Sequence, residues 1–100
     1  MSRTRVRFID SEERATLLVR TSRRGGLITP LVRMLSRLGL EVHHLESKLR
    51  NGEHLERLVV AEPYGRALDA PRLAHLRAEV LSTIEEARLA TERGPDSAAA

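Results

Sequence analysis

The alternation of apolar and polar positions changes period along the chain, and each change marks an element. Residues 15–21, Ala-Thr-Leu-Leu-Val-Arg-Thr, are apolar on both alternating faces for most of their length, which predicts a central strand rather than an exposed edge. Leu27, Ile28, Leu31, Val32, Leu35 and Leu38 then recur at helical spacing and predict an amphipathic helix over 27–38. Pro30 suits only its first turn, and Gly39 supplies a left-handed stop. Two strand-like runs over 41–62 flank Asn51-Gly52, a strong hairpin signal because a type I′ turn needs positive φ at both central residues. After Glu62-Pro63-Tyr64-Gly65-Arg66 the chain turns, and Asp69 with Pro71 announces a second helix over 71–88. Its buried stripe is Leu73, Leu76, Val80, Ile84 and Ala87, with Leu81 beside it.

Counting outward from a two-residue turn pairs Leu49 with His54, Ser47 with Glu56, Glu46 with Arg57, Leu45 with Leu58 and His43 with Val60. One face of the hairpin then carries Leu45, Leu58 and Val60 and is expected to meet the helices. The other carries Val42, Leu55, Val59 and Ala61, apolar enough to predict a subunit contact through Val42, Leu55 and Val59. Residues 1–14 read as a short strand or a loose arm, 15–90 as the domain, and 91–100, with Gly94-Pro95 and a run of small residues, as a disordered tail. The expected fold class is α+β: a βαββα sandwich on the ferredoxin-like plan, two helices on one face of a mainly antiparallel sheet, its first strand parallel to its third. The fourth strand of that plan is either missing or replaced by the N-terminal segment.

Composition narrows this picture. One hundred residues fit one domain, and with Phe8 and Tyr64 as the whole aromatic complement the core rests on 16 Leu together with Val, Ile and Ala. Such a small aliphatic core gains from a partner, so a homodimer is expected. The absence of cysteine excludes disulfides, thiolate metal sites and Cys nucleophiles. A charged opening and the lack of a long apolar run predict a cytoplasmic protein without signal peptide or membrane span. Residues 1–50 carry 11 Lys/Arg against 5 Asp/Glu, and residues 51–100 carry 6 against 9. A basic half attracts nucleic acid in principle. The positive charge is nearly all Arg, however, and no aromatic platform accompanies it, so it reads as solvated surface and nucleic acid is not expected as the partner.

Residues 15–88 resemble the ACT domain, a regulatory module of amino-acid metabolism. Leu-Leu-Val-Arg-Thr-Ser-Arg-Arg-Gly-Gly-Leu-Ile (17–28) resembles the family's strand followed by Asp-Arg-Pro-Gly-Leu-Leu, and Leu38-Gly39-Leu40-Glu41-Val42 its Leu-Gly-Ile-Asn-Ile. Residues 56–68 are similar to the third strand and following loop of ACT repeats in the bacterial nitrogen-sensing uridylyltransferase, and the regulatory subunits of acetolactate synthase offer a second likeness. The resemblance implies a non-catalytic module, a homodimer or a small regulatory subunit of an amino-acid biosynthetic enzyme. It also implies an amino-acid site on the loop after the first strand: Arg23, Arg24, Gly25, Gly26, Leu27 and Ile28, with Glu41 helping to hold the ligand's amino group. Arg23 stands where the family has Asp or Asn, and Gly25 where it has Pro. With cations there, either a small anionic ligand or a purely structural dimer fits the charge.

The loop's chemistry agrees with an anion. Glycine lets backbone N–H groups approach a carboxylate or phosphate at a helix N-terminus, while two arginines there oppose the dipole unless an anion joins them. No cofactor or metal site is expected: His43 and His44 point to opposite faces, His54 lies far down the hairpin, and His75 reads as surface beside Glu79. No Ser-His-Asp order, convergent carboxylate pair or phosphate loop is present, so no enzyme is expected. The competing reading is a basic nucleic-acid-binding protein, or a plain interaction dimer without a ligand.

Overall fold

A computed structural model describes the backbone of residues 3–11 and 13–93, and side chains as far as residue 90. The elements are strands β1 (Thr4–Asp10) and β2 (Arg14–Thr21), helix α1 (Ile28–Arg37), strands β3 (Glu41–Arg50) and β4 (Glu53–Ala61), and helix α2 (Ala70–Arg93). They form a small α+β domain with a four-stranded antiparallel sheet in the order β1-β2-β4-β3. The N-terminal segment is therefore a full edge strand, and the element order is ββαββα.

β1 earns its place by alternation. Thr4, Val6 and Phe8 are half-buried on the helix side, while Arg5 and Arg7 are exposed on the other. β2 is central, as its double-sided apolar pattern demands, with Ala15, Leu17, Val19 and Thr21 buried beneath the helices. β4 pairs with β2 antiparallel, which corrects the expected parallel pairing. The physical reason is the hairpin: it reverses the chain after β3, so the strand parallel to β2 is β3, one position further out.

The Asn51-Gly52 turn has positive φ at both residues, 52° and 78°, and the counted register holds from Leu49–His54 through Leu45–Leu58. It then breaks. A bulge between Val42 and His44 leaves His43 as the extra residue, so Val60 pairs with Val42 instead of His43. The slip turns Val42 to the helix side, where it packs against the core. Val42 thus leaves the predicted subunit face.

α1 buries Leu31, Met34 and Leu35 and ends in a left-handed cap. Gly39 has φ 73°, its N–H donates to the Ser36 carbonyl, and the Leu40 N–H reaches back to the Leu35 carbonyl at 3.0 Å. α2 begins where Asp69 accepts from the Arg72 backbone N–H at 3.0 Å. It buries Leu76, Val80, Thr83 and Ala87 and continues to Arg93, so residues 91–93 are helical rather than tail; residues 94–100 lie outside the described residues. Arg72 ties the connection together, pairing with Glu62 at 2.9 Å and donating to the Leu38 carbonyl at the end of α1. Both helices cover one face of the sheet through Leu17, Val19, Leu58 and Val60, and among the described residues no helix or strand covers the opposite face.

Candidate functional site

The loop Ser22–Leu27 leaves the C-terminal end of β2 and enters α1 over the end of β4. Two consecutive left-handed glycines, Gly25 at φ 82° and Gly26 at φ 70°, shape it. A turn closes at its start, with the Gly26 N–H donating to the Arg23 carbonyl at 3.0 Å and the Arg23 guanidinium donating to the Gly26 carbonyl. The Arg23 backbone N–H is also held, by the Thr21 hydroxyl at 3.1 Å. Arg23 is thus built into the loop, while Arg24 is exposed.

The anion that this helix start calls for is already present, and it belongs to the chain. Glu56 on β4 turns its carboxylate under the loop, where the Leu27 N–H donates to Oε1 at 3.0 Å and to Oε2 at 3.2 Å. Glu56 is 4% exposed. Burial pushes its carboxyl above the usual range, and the Leu27 N–H, nearby His54, the Ile28 N–H and Arg23 pull it back. Gly26 has a direct reason to be glycine: a Cβ there would overlap the Glu56 carboxylate and come within 3.3 Å of the His54 ring. Of the backbone N–H groups expected to anchor a ligand carboxylate, that of Leu27 is taken by Glu56 and that of Gly26 by the Arg23 carbonyl. Sequence reading passed over Glu56, though the alternation Glu56, Leu58, Val60 placed it on the helix side.

Of the expected site residues, Arg23, Arg24, Gly25, Gly26, Leu27 and Ile28 are contiguous, but Glu41 is not with them. Thr21 pairs with His54, whereas Glu41 pairs with Ala61 at the opposite end of the sheet. Seven residue steps along β4 separate the two ends, about 23 Å at strand rise. Glu41 instead meets His43 at 3.1 Å.

What the loop does border is a cleft of about 490 Å³ between α1 and α2. Arg23, Gly25 and Gly26 form one wall, Thr29, Arg33 and Arg37 rise from α1, and Thr83 and Glu86 face them from α2. Arg33 and Arg37 are one turn apart on the exposed side of α1, the two cations that its apolar stripe leaves out. Three guanidinium side chains, two hydroxyl side chains and one carboxylate make a site suited to a small anion and lack a nucleophile paired with a base.

The expected subunit face is also reshaped. Leu55 is half-buried on the bare side of the sheet, and Val59 is only 8% exposed within a single protomer. Among the described residues no group of three His, Cys, Asp or Glu side chains is placed to hold a metal, and no helix is long and apolar enough to cross a membrane. Comparison with family models, curated proteins and solved structures finds no match to this chain.

Proposed function

We propose that the chain is a non-catalytic regulatory module of the ACT-like, ferredoxin-like kind, which senses a small anionic metabolite in the cleft between α1 and α2. One observation carries this reading: Arg23, Arg33 and Arg37 line the same cleft of about 490 Å³, beside a glycine loop and the hydroxyl-bearing Thr29 and Thr83. The chain keeps arginines one turn apart on α1 at a small cost in like-charge repulsion, which an anion between them would relieve. Glu56 supports the reading indirectly. It satisfies the start of α1 internally, so the ligand is held by side chains rather than by backbone N–H groups.

A thermal-shift screen of inorganic phosphate, di- and tricarboxylates and amino acids tests it. At least one anion should raise the melting temperature, and the Arg33→Ala/Arg37→Ala double variant should abolish the rise while retaining the fold. A wild-type protein indifferent to every anion, or a double variant that keeps the full shift, defeats this function.

A homodimer belongs to the same proposal, and the observation favouring it is the outer edge of β3. Among the described residues this strand pairs with β4 alone; it runs ten residues and leaves Leu45 43% and Leu49 69% exposed. Light scattering at micromolar concentration should give twice the 11.2 kDa chain mass, reverting to one chain in Leu45→Lys/Leu49→Lys.

A further inference from the structure

The bare side of the sheet gathers positive charge that the sequence scatters over three strands. Across the strands the register aligns Arg5, Arg20, Leu55 and Lys48 in one row and Arg7, Leu18, Arg57 and Glu46 in the next. The two rows enclose a shallow groove of about 500 Å³ with Leu18 and Leu55 at its floor. Five cations surround it with the carboxylate of Glu46, and Glu53 on the same face lines an adjoining hollow with Arg3, Arg5 and Arg20. Glu46 stays ionised and offsets one of these charges, because the His44 hydrogen bond, with Arg57 and Lys48 nearby, holds its carboxyl below the usual range. Arg5 and Arg20 even sit directly opposite one another. Like charges placed so cost stability, which is tolerable when an anion bridges them.

We infer that this face binds single-stranded nucleic acid, with phosphates on Arg5, Arg7, Arg20, Lys48 and Arg57 and bases laid over Leu18 and Leu55. The charge pattern selects a polyanion, and the apolar floor selects among polyanions. A duplex turns its phosphates outward and hides its bases, so it would leave Leu18 and Leu55 facing water-filled space. A single strand offers both the phosphate and an unstacked base. Guanidinium planes supply stacking surfaces in place of the missing aromatics. A second copy of this chain is the poorer occupant, since it would press an excess of positive charge against its own image. The inference is independent of the cleft between the helices, which opens on the other side of the sheet.

The test is fluorescence anisotropy with a labelled single strand of about 12 nucleotides, titrated with the full chain at several salt concentrations. Three or four neutralised phosphates predict a slope of about −2 to −3 in log affinity against log salt. Arg7→Glu/Arg57→Glu should weaken binding at least about tenfold with an unchanged circular dichroism spectrum, whereas Arg33→Ala/Arg37→Ala should bind as wild type does. Should the charge-reversal variant fail to fold, Arg20→Ala and Lys48→Ala singly must each reduce affinity and slope. The inference is overturned by absent or salt-insensitive binding at about 50 mM salt, or by sheet-face variants that bind normally. It is likewise overturned if polyglutamate or duplex competes better than single strand, which would assign the face to an acidic protein or to double helix. A sheet-mediated dimer that excludes the oligonucleotide would assign it to a second copy.

Discussion

Two arginine-rich regions of this molecule carry opposite solutions to one electrostatic problem. At the start of α1, Arg23 and Arg24 stand where the helix dipole disfavours cations, and the chain supplies its own anion: the Glu56 carboxylate takes the Leu27 N–H and lies close enough to Arg23 to feel its charge. Across the bare sheet, Arg5, Arg7, Arg20, Lys48 and Arg57 face outward with Glu46 as the carboxylate among them. The first cluster is part of the fold's own architecture. The second is an excess of charge that Glu46, opposite Arg57, and Glu53 neutralise only in part. A run of arginines therefore says little about binding until the carboxylates that reach it in space are known.

The sharpest way to break this contrast is Gly26→Ala. The new methyl group would displace the Glu56 carboxylate, and the residue would be held at φ 70°, so the cost should be about 3 kcal/mol, read as a lower urea midpoint with unchanged slope. A loss below about 1 kcal/mol would mean that Glu56 moves freely and does not organise the loop.

Next in size is Glu56 itself. Glu56→Ala leaves the Leu27 N–H without its partner and should cost about 2 kcal/mol at neutral pH. Glu56→Gln keeps an acceptor and isolates the charge. Because burial raises the folded-state carboxyl above its unfolded value, the folded protein holds the proton more tightly between the two values. That contribution is complete below the unfolded pKa and is lost as pH rises through the folded one. Acidification from neutral pH through this window should therefore stabilise wild type relative to Glu56→Gln in paired denaturation curves. The opposite trend would show that the loop's hydrogen bonds and cations outweigh burial.

A smaller effect separates the two loop arginines. Arg23→Ala loses the bond to the Gly26 carbonyl and should cost about 1 kcal/mol, while Arg24→Ala should stay within about 0.5 kcal/mol of wild type. If Arg23→Ala stabilised the protein, the dipole mismatch would be unrelieved after all. Smallest is Arg5→Thr on the sheet, which removes a like-charge neighbour from Arg20 and should gain a few tenths of a kcal/mol at low salt, fading as salt rises. A loss there would show that the sheet-face cations are satisfied within the protomer.

Much of the fold was legible in the sequence because local physics wrote it. The helical stripe Leu27 to Leu38, the cap at Gly39, the Asn51-Gly52 turn and the Asp69 start each depend on residues a few positions apart, and each stands in the structure. The hairpin register was readable for the same reason as far as Leu45. It failed at His43, where a bulge inserts one residue that the hairpin's turn does not dictate. Val42 changed faces with it.

By itself, then, the sequence determined the elements, the glycine loop and the surplus of arginine in the first half, all properties of near neighbours. The tertiary structure alone decided that residues 4–10 form an edge strand, that Glu56 sits beneath the loop 29 residues away, and that Glu41 lies at the far end of the sheet. It also decided which arginines share a face. The reason is that compensation of charge falls off with distance in space, while the chain records only distance along itself.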